Sequence, residues 1–257
     1  MPPPLPATLA DEAPLILVTG AARRVGAEIA RQLHARGARI ALHYRHSADA
    51  ALTLAAALDA ERPGSAFTVG GDLARFGAAD EIAAQVLERS GGRLDGLVNN
   101  ASSFFPTPVG RIDRAAWDEL IGSNLMGPLF LSQALAPALG SSGRGAIVNI
   151  VDIHAERPLE RYPVYSAAKG GLAALTRALA IELAPAVRVN GVSPGPIDWP
   201  EDGQFPPAER ERIIAHTLLK RVGSAADIAR TVSFLMLDAP YITGQIIAVD
   251  GGRSAHL

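Results

Sequence analysis

Tyr165 and Lys169 are the two residues whose types and spacing point most directly to chemistry. Residues four apart lie on one face of an α-helix, so the Lys169 ammonium can lie beside the Tyr165 phenol. A nearby cation favours the phenolate and lowers the pKa of tyrosine, which is normally about 10. The pair therefore predicts a tyrosine that gives a proton and takes it back, as a reduction needs when hydride reaches a carbon and a proton must reach the adjacent nitrogen or oxygen.

The lysine at position 169 is informative because this chain otherwise uses arginine wherever a cation suffices. Only two of its 24 Lys+Arg residues are lysines, Lys169 and Lys220. Arginine does not readily release its proton, and its planar fork has a different shape. The retained lysine supports a chemical requirement, although the same spacing also occurs in an ordinary exposed helical pair.

A strand, a glycine turn and a helix near the N-terminus begin the scaffold that must position this pair. The apolar run 15–19 suits a strand buried on both faces of a parallel sheet, and it ends at Gly20. Residues 20–26 form the turn, 25–36 the helix and 39–44 the next strand, which together predict a βαβ unit. The N-terminus of such a helix offers free N–H groups and a positive dipole end to a phosphate.

The same alternation continues along the rest of the chain. Further strands are predicted at 66–70, 94–98, 145–151, 187–192 and 246–249, and further helices at 48–61, 78–90, 114–138, 164–183, 207–217 and 225–237, with a bend at Gly127-Pro128. The pattern predicts one α/β domain, a Rossmann-type doubly wound parallel sheet with helices on both faces. We expect this domain over residues 14–257, with an integral substrate loop at about 193–217, and a disordered N-terminal tail over 1–13.

Composition and charge argue against several classes of function. A formal net charge of −2 and a pI near 6.3 argue against nucleic acid or an anionic membrane as a partner. The absence of cysteine excludes disulfides, thiolate metal sites and a cysteine nucleophile. The six histidines form no His-x-x-x-His pair, so no metal site is expected. We also find no secretory signal and no apolar run long enough for a transmembrane helix, and we expect a cytoplasmic protein.

The end of the second predicted strand indicates which dinucleotide the turn would hold. An NAD site places Asp or Glu there for the ribose 2′-hydroxyl, whereas an NADP site brings an arginine to the 2′-phosphate. Here residues 44–47 read Tyr-Arg-His-Ser without a carboxylate, and Arg23 and Arg24 add positive charge in the first turn. We therefore predict NADPH rather than NADH. Asp72, after the third strand, could bond an adenine amino group.

Several motifs in order and at the expected spacing make the chain resemble the short-chain dehydrogenase/reductases over about residues 14–252. The matching pieces are Thr19-Gly20, Asp72, Asn99-Asn100-Ala101, Asn124, Tyr165 with Lys169, Pro194-Gly195 and the closing segment 241–252. Two departures from the general family pattern resemble the pteridine reductase branch: Arg24 replaces a glycine, and Asp152 replaces the serine thirteen residues before the tyrosine. The stretches TGAARRVG, LHYRHSADA, NNASSFFPTP and ELAPAVRVNGVSPG are similar to that branch as well.

The resemblance implies a set of substrate-binding residues. Phe104 would stack on a pterin ring opposite the nicotinamide. Independently of the resemblance, we expect Asp198, Trp199 and the loop over 193–210 to decide which pterin is bound. The residues expected to contact the substrate are Arg24, Ser102, Phe104, Asp152, Tyr165 and Trp199.

The resemblance also implies roles at the cofactor. Lys169 would hold the nicotinamide ribose, and Asn124 would support a proton-relay water near Lys169, unless it is a mid-helix amide bonded to the backbone. Either Arg45 or His46 would contact the 2′-phosphate, because His46 separates the arginine from the following serine. The residues expected to contact the cofactor are Gly20, Arg23, Arg24, Val25, Tyr44, Arg45, His46, Ser47, Asp72, Leu73, Asn99, Ala101, Ser102, Lys169, Pro194, Gly195 and Ile197.

The chemistry of Asp152 supports the same assignment. A serine suits a carbonyl substrate because its hydroxyl donates to an oxygen that becomes negative, whereas an ionised aspartate would repel that oxygen. An aspartate suits a C=N bond better, since it can accept from ring N–H or amino groups and help to deliver a proton to a ring nitrogen. Phe104 supplies a flat apolar face for a heteroaromatic ring. The plainer alternatives are a turn or cap residue for Asp152 and ordinary packing of the Phe104-Phe105 pair.

The resulting hypothesis is an enzyme that transfers hydride from NADPH to a ring carbon of an oxidised pteridine of the dihydrobiopterin or dihydrofolate type. Tyr165 would give the proton, with Asp152 assisting. One alternative is an NADPH-dependent carbonyl reductase acting on a ketone or quinone, against which Asp152 argues. Another is a non-catalytic sensor of NADPH or pterin, against which the intact Tyr165, Lys169 and Asn124 argue. The resemblance also implies a homotetramer.

Overall fold

Seven short strands form a parallel sheet in the computed structural model, which describes residues 13–199 and 205–255. The strands are β1 (Leu15–Val18), β2 (Arg39–Tyr44), β3 (Ala66–Gly70), β4 (Gly96–Asn99), β5 (Gly145–Ile150), β6 (Val187–Pro194) and β7 (Ile246–Val249). Their order is β3-β2-β1-β4-β5-β6-β7, and every neighbouring pair is parallel. The strand order reverses between β1 and β4, so the predicted Rossmann-type α/β fold is confirmed.

Helices cover both faces of this sheet. In chain order they are α1 (Arg24–Ala35), α2 (Ala48–Glu61), α3 (Ala78–Ser90), α4 (Arg114–Ile121), α5 (Gly127–Ser141), α6 (Pro163–Glu182), α7 (Pro207–Ala215) and α8 (Ala225–Leu237). One hydrophobic core lies under α1, α2 and α8, and the other lies under α3, α5 and α6. Along β1, Ile16 and Val18 enter the first core while Leu15 and Leu17 enter the second, which is why this strand is apolar throughout.

The predicted 114–138 helix is interrupted before its expected bend. A π-helical turn, Gly122–Met126, separates α4 from α5. A Cβ on Gly127 would lie 2.9 Å from the Leu73 Cβ, so the helix passes very close to the segment after β3. Pro128 falls in the first turn of α5, where its missing N–H needs no partner. The other predicted elements agree with the observed bounds to within two residues.

Two predicted segments extend outside the described residues. Of the expected tail over 1–13 only Ala13 is described, and residues 200–204 of the expected substrate loop are not. Within the ranges that are described, no helix is long and apolar enough to cross a membrane. The same ranges contain no group of three or more His, Cys, Asp or Glu side chains that could hold a metal ion.

The carboxyl ends of the strands bring distant residues to one edge of the sheet. Gly20 follows β1, Gly71 follows β3 and Asn100 follows β4. Asp152 follows β5, and α6 carries Tyr165 in its first turn. Ligands of doubly wound sheets bind at this edge, so the fold places these residues where a site is expected.

Candidate active site

A cleft of about 650 Å³ opens at the carboxyl edge of the sheet. Its walls come from the turn after β1, the segments that follow β2 to β6, and the first turns of α6. Helix α7 and Arg253 also contribute to its lining. The volume lies within the range of about 300–1,000 Å³ that is typical of small-molecule sites.

Tyr165 and Lys169 lie on the buried face of α6, one turn apart. The Tyr165 hydroxyl donates to Asp152 Oδ2 at 2.7 Å, and Lys169 Nζ donates to the Ile150 carbonyl oxygen at 2.8 Å. Lys169 Nζ lies 5.7 Å from the centre of the Tyr165 ring. Tyr165 is 4% exposed and Lys169 is 2% exposed. The structure thus brings the three side chains together on the floor of the cleft.

The Tyr165 phenol retains its proton in this arrangement. Burial raises the pKa of Tyr165 well above its ordinary value, and the Asp152 carboxylate raises it further by its charge and by accepting the hydrogen bond. Burial also lowers the pKa of Lys169 to about 8, against the opposing effect of Asp152. The spacing to Lys169 predicted a lowered pKa for Tyr165, and this prediction is wrong for the protein without a ligand. The physical reason is that the phenol is desolvated and contacts a carboxylate, while the Lys169 ammonium donates to a backbone carbonyl.

The second carboxylate oxygen of Asp152 holds the backbone. Oδ1 accepts from the His154 N–H at 2.8 Å and caps the short 3-10 turn Ile153–Ala155. Oδ1 thus acts as the helix cap that the sequence also allowed for Asp152, while Oδ2 accepts from Tyr165. Because both oxygens are bonded, the carboxylate has a fixed orientation toward the phenol.

Asn124 lies fully buried in the π-helical turn and does not line the cleft. Its Nδ2 donates to the Ser103 carbonyl oxygen at 2.9 Å, and its Oδ1 accepts from the Ser102 hydroxyl at 2.6 Å. Asn124 Nδ2 is therefore bonded to the backbone, as in the alternative interpretation, while its Oδ1 is bonded to a side chain. Its role beside a water near Lys169 stays a prediction, and its observed effect is to hold the segment that leads to Phe104.

Phe104 belongs to a wall of aromatic rings beside the Tyr165 phenol. Its ring lies parallel to the Tyr162 ring at 4.6 Å between centres and edge-on to the Tyr165 ring at 4.8 Å. Phe205 lies parallel to Phe104 at 6.5 Å, and Trp199 lies 5.7 Å from Phe205. Tyr162 and Phe205 were not selected from the sequence, although Tyr162 precedes Tyr165 by about one helical turn. The cleft therefore offers flat apolar surface next to a buried hydroxyl.

The glycine turn after β1 packs closely on the segment after β4. Gly20 has φ +61°, and a Cβ there would lie 3.0 Å from the Ala101 Cα. His43 supports the same turn, because its Nδ1 accepts from the Gly20 N–H at 3.2 Å and its Nε2 donates to the Gly71 carbonyl oxygen at 3.1 Å. Burial lowers the pKa of His43 to about 4, which leaves the neutral ring that these two bonds require. His43 was not selected from the sequence, where its signal is a histidine inside an apolar strand.

Asn99, predicted to contact the cofactor, lies inside the fold instead. Its Nδ2 donates to Asn149 Oδ1 at 2.8 Å and to Ser132 Oγ at 3.3 Å, and it does not line the cleft. The reason is that Asn99 is the last residue of β4, and its side chain is bonded between β5 and α5. Asn100 lines the cleft in its place and donates from Nδ2 to the Thr19 carbonyl oxygen at 2.8 Å.

Helix α1 begins beside the cleft without a capping side chain and without an acidic residue in its first turn. Its first N–H groups and its dipole therefore suit a phosphate. Arg24 has φ +50°, a conformation that favours glycine, which agrees with the glycine of the general family pattern. Its Nη2 donates to the Asp198 carbonyl oxygen at 2.9 Å. Arg24 thus ties the turn after β1 to the segment after β6.

Arg45 is bonded to two carboxylates at the end of the cleft that follows β2. Its Nη1 lies 2.6 Å from Glu119 Oε1, and its Nη2 lies 3.1 Å from Asp72 Oδ2. Glu119 also accepts from the Ser103 hydroxyl, and the hydrogen bond from Arg45 is the largest cause that lowers the pKa of this carboxyl. His46 is exposed and lines the same part of the cleft. Glu119, not selected from the sequence, therefore links Arg45 to the segment beside the aromatic wall.

Apart from Asn99 and Asn124, the predicted site residues all line this cleft. They are Gly20, Arg23, Arg24, Val25, Tyr44, Arg45, His46, Ser47, Asp72, Leu73, Ala101, Ser102, Phe104, Asp152, Tyr165, Lys169, Pro194, Gly195, Ile197 and Trp199. Gly195 packs so closely that a Cβ there would lie 2.7 Å from the Asp250 Cα. The lining also includes Arg212 and Arg253, which the sequence analysis did not select.

The chain is similar over nearly its whole length to known proteins. A family model described as Enoyl-(Acyl carrier protein) reductase matches residues 20–254. Pteridine reductase 1 of Leishmania tarentolae is 41% identical, with 96% of this chain and 98% of that protein covered. A 3-oxoacyl-(acyl-carrier-protein) reductase of Staphylococcus epidermidis is 34% identical, with 92% and 97% covered. An uncharacterized oxidoreductase of Bacillus subtilis is 33% identical, also with 92% and 97% covered.

Proposed function

The chain belongs to the short-chain dehydrogenase/reductase family, and we propose that its reaction is the NADPH-dependent reduction of an oxidised pteridine. Membership makes it a short-chain oxidoreductase that uses a nicotinamide cofactor. The observation that carries the substrate class is the hydrogen bond from Tyr165 to Asp152 at 2.7 Å. A carboxylate beside the proton donor suits a substrate that presents N–H or amino groups, and the similarity to a pteridine reductase supports the same class.

The residues around the first turn fit a bound NADPH. The uncapped start of α1 offers N–H groups to a phosphate, and Gly20 places no side chain between the turn and a ligand. Arg45 and His46 supply donors for a 2′-phosphate, and Arg45 would exchange part of its bonding to Asp72 and Glu119 for it. When bound, NADPH supplies the hydride.

Tyr165 gives the proton in this proposal. The raised pKa keeps the hydroxyl protonated at neutral pH. Its proton can pass to a ring nitrogen of the substrate because hydride addition to the adjacent carbon makes that nitrogen strongly basic. The phenolate left behind would face the Asp152 carboxylate, and the Lys169 ammonium, 5.7 Å from the ring centre, offsets that repulsion. Asp152 Oδ2, released by the phenol, accepts from an N–H or amino group and so orients the ring.

The aromatic wall supports a planar substrate. Phe104 lies edge-on to Tyr165, and Phe205 and Trp199 continue the wall outward. Rings of this kind bury a heteroaromatic ligand through apolar contact and stacking. A pteridine bound along this wall would keep its reducible bond near the Tyr165 hydroxyl.

A carbonyl reductase is the second candidate, because one of the reported comparisons favours it. The similar protein of Staphylococcus epidermidis is named a 3-oxoacyl-(acyl-carrier-protein) reductase, and a 3-oxoacyl group presents a carbonyl. The same Tyr165 and Lys169 would serve that chemistry. Asp152 argues against it, since its carboxylate would repel a carbonyl oxygen that becomes negative.

The test is NADPH oxidation with dihydrobiopterin and dihydrofolate, measured beside a panel of ketones, quinones and 3-oxoacyl thioesters. We expect turnover of the pterins with little turnover of the carbonyl compounds. Turnover of carbonyl compounds alone would reject the pteridine proposal while leaving the fold and the oxidoreductase assignment in place.

An Asp152→Ser variant tests the residue that carries the proposal. We expect pterin kcat/KM to fall about 100-fold, because the lost carboxylate accepted from the substrate ring. Asp118→Ser is the matched control, since Asp118 is half-exposed and pairs only with Arg114 on the surface of α4 among the described residues. Equal pterin turnover in Asp152→Ser and in wild type would contradict the assignment.

A homotetramer remains part of the proposal, supported by exposed apolar side chains. Ile181 is 78% exposed, Phe234 is 43% exposed and Tyr241 is fully exposed. Unpaired apolar side chains of this size favour burial in a subunit interface. Light scattering after size exclusion measures the assembly, and a monomer at micromolar concentration would reject it.

A further inference from the structure

Two arginines belong to the cleft that also contains the aromatic wall. Arg212 belongs to α7, Arg253 follows β7, and both line the cleft. Arg253 Nη1 donates to the Ile213 carbonyl oxygen at 3.0 Å, so its guanidinium is held against the residue next to Arg212. The two cations are therefore neighbours although they lie 41 residues apart in the sequence.

Their positive charge is weakly neutralised by the described residues. Arg212 has Glu209 as a partner, but the closest atoms are 3.9 Å apart and the Arg212 side chain is 71% exposed. Asp250, the carboxylate near Arg253, accepts from the Gly252 N–H at 2.9 Å and from the Ser254 N–H at 2.6 Å. An exposed ion pair of this length contributes little, so the charge is available to a ligand.

The charge of each guanidinium also acts on the other. Burial lowers the pKa of Arg253, and the neighbouring Arg212 lowers it further, against the opposing effect of Asp250. Two like charges side by side cost free energy unless an anion lies between them. An anion that reached both guanidiniums would relieve this repulsion and gain charge-assisted hydrogen bonds.

The cleft that contains these arginines also contains the aromatic wall. Contacts run from Tyr165 to Phe104, from Phe104 to Phe205, and from Phe205 to Trp199. Arg212 and Arg253 line the same cleft. One cleft therefore offers a ligand a proton donor, flat apolar rings and paired cations.

We propose that Arg212 and Arg253 form a subsite for a carboxylate carried by the substrate beyond its reducible ring. The inference rests on the proposed function and makes it more specific: the favoured class is a pteridine with a side chain that contains an aromatic ring and ends in carboxylates, as in dihydrofolate. Guanidinium groups suit this role because their planar fork can bind a carboxylate through two hydrogen bonds. Dihydrobiopterin, which has no carboxylate, would gain nothing from the pair.

The test compares kcat/KM for dihydrofolate and for dihydrobiopterin in wild type, Arg212→Gln, Arg253→Gln and the double variant. We expect the ratio of dihydrofolate to dihydrobiopterin kcat/KM to fall about fivefold in each single variant and about 20-fold in the double variant, mainly through KM for dihydrofolate. Added salt should lower the same ratio in wild type but not in the double variant. Thermal unfolding checks that each variant is folded.

Arg31→Gln is the matched control. Arg31 is an exposed arginine of α1 that does not line the cleft and has only a 4.0 Å pair with Glu28 among the described residues. The ratio of dihydrofolate to dihydrobiopterin kcat/KM in Arg31→Gln should equal that of wild type. Arg253→Lys adds a second check, because it should recover part of the ratio if charge is what matters and none if Arg253 only supports α7.

The outcomes separate this inference from the proposed function. If wild type reduces both pterins and the double variant keeps the wild-type ratio, the subsite is wrong and the pteridine proposal stands. If wild type reduces neither pterin, the proposed function is wrong. In that case calorimetric titration with p-aminobenzoylglutamate decides the subsite, and equal binding by wild type and the double variant overturns it.

Discussion

The floor of the cleft, formed by Tyr165, Asp152 and Lys169, differs in the exposure of its charged groups from the rim, formed by Arg45 and Arg212. On the floor, Tyr165, Asp152 and Lys169 are bonded to one another or to the backbone, and Tyr165 and Lys169 are almost fully buried. On the rim, Arg45 and Arg212 are partly or largely exposed, with side-chain exposures of 34% and 71%. The same sheet edge therefore carries both fixed and adaptable polar groups.

The difference agrees with the roles proposed for the two regions. A proton donor needs a fixed geometry, and burial supplies it because the Tyr165 hydroxyl is held on Asp152 away from water. A group that selects a charged ligand must instead exchange its present partners for that ligand at small cost. Arg45 illustrates the second case, since its bonds to Asp72 and Glu119 hold it in place without burying it.

Tyr165→Phe should have the largest effect, because it removes the transferable proton from the floor. We expect kcat to fall about 1,000-fold or more, while the dissociation constant for NADPH changes less than about threefold. Stopped-flow hydride transfer and titration of NADPH fluorescence measure the two quantities. Tyr241→Phe is the control, because Tyr241 does not line the cleft. Turnover within tenfold of wild type would show that the floor does not supply the proton.

Lys169→Arg tests whether the floor requires lysine or only a cation. We expect kcat to fall about 100-fold although the charge is kept, because a guanidinium does not fit a 2% exposed position that has one carbonyl partner. Lys220→Arg, at an exposed position, is the matched control on the second of the two lysines. Full activity of Lys169→Arg would mean that charge alone is sufficient, as it is on the rim.

His43 extends the comparison to a buried group beside the turn after β1. Its pKa is about 4 in the fold against an ordinary 6.5, so the unfolded chain binds the proton more tightly. The free energy of unfolding should therefore be highest above pH 6.5 and should fall by about 3 kcal/mol as the pH drops to 4. Urea unfolding across this range measures it.

The contribution of His43 is isolated by substitution. His43→Gln should show a smaller fall in the free energy of unfolding between pH 6.5 and 4 than wild type, since glutamine does not titrate. His216→Gln, at a surface histidine, should keep the wild-type fall. Parallel pH curves for wild type and His43→Gln would contradict the role of His43.

Arg45→Ala should have the smallest effect, because a partly exposed arginine on the rim contributes modestly. We expect the dissociation constant for NADPH to rise about tenfold and that for NADH to change less than about twofold, since only NADPH carries the 2′-phosphate. His46→Ala, measured in the same titration, should raise the dissociation constant for NADPH less than Arg45→Ala does, because histidine, unlike arginine, has no permanent charge. Equal losses of affinity for NADPH and for NADH in Arg45→Ala would show that Arg45 does not bind the 2′-phosphate.

The architecture could be predicted because its signals are local. The segments that form β1 and β5 are short and apolar, as expected of strands buried on both faces. In the helices between them, apolar residues recur at helical spacing. Asp152 could be placed at the sheet edge because it follows the predicted strand 145–151 directly. Tyr165 and Lys169 could be placed together because they are four residues apart on one helix.

The contacts that complete the site could not be predicted in this way. Arg45 meets Glu119 across 74 residues of sequence, and His43 bonds to backbone groups on two other strand ends. Asn99 and Asn100 are adjacent and chemically identical, so only the geometry after β4 shows that Asn100 reaches the cleft.

The fold, the family and the pairing of Tyr165 with Lys169 could be inferred from pattern and spacing, because these are properties of neighbouring residues. The protonation of Tyr165 depends instead on the folded arrangement. The spacing to Lys169 predicted a lowered pKa, whereas burial and contact with Asp152 raise it. Desolvation and contacts between separate elements set a pKa, and neither exists before the chain has folded.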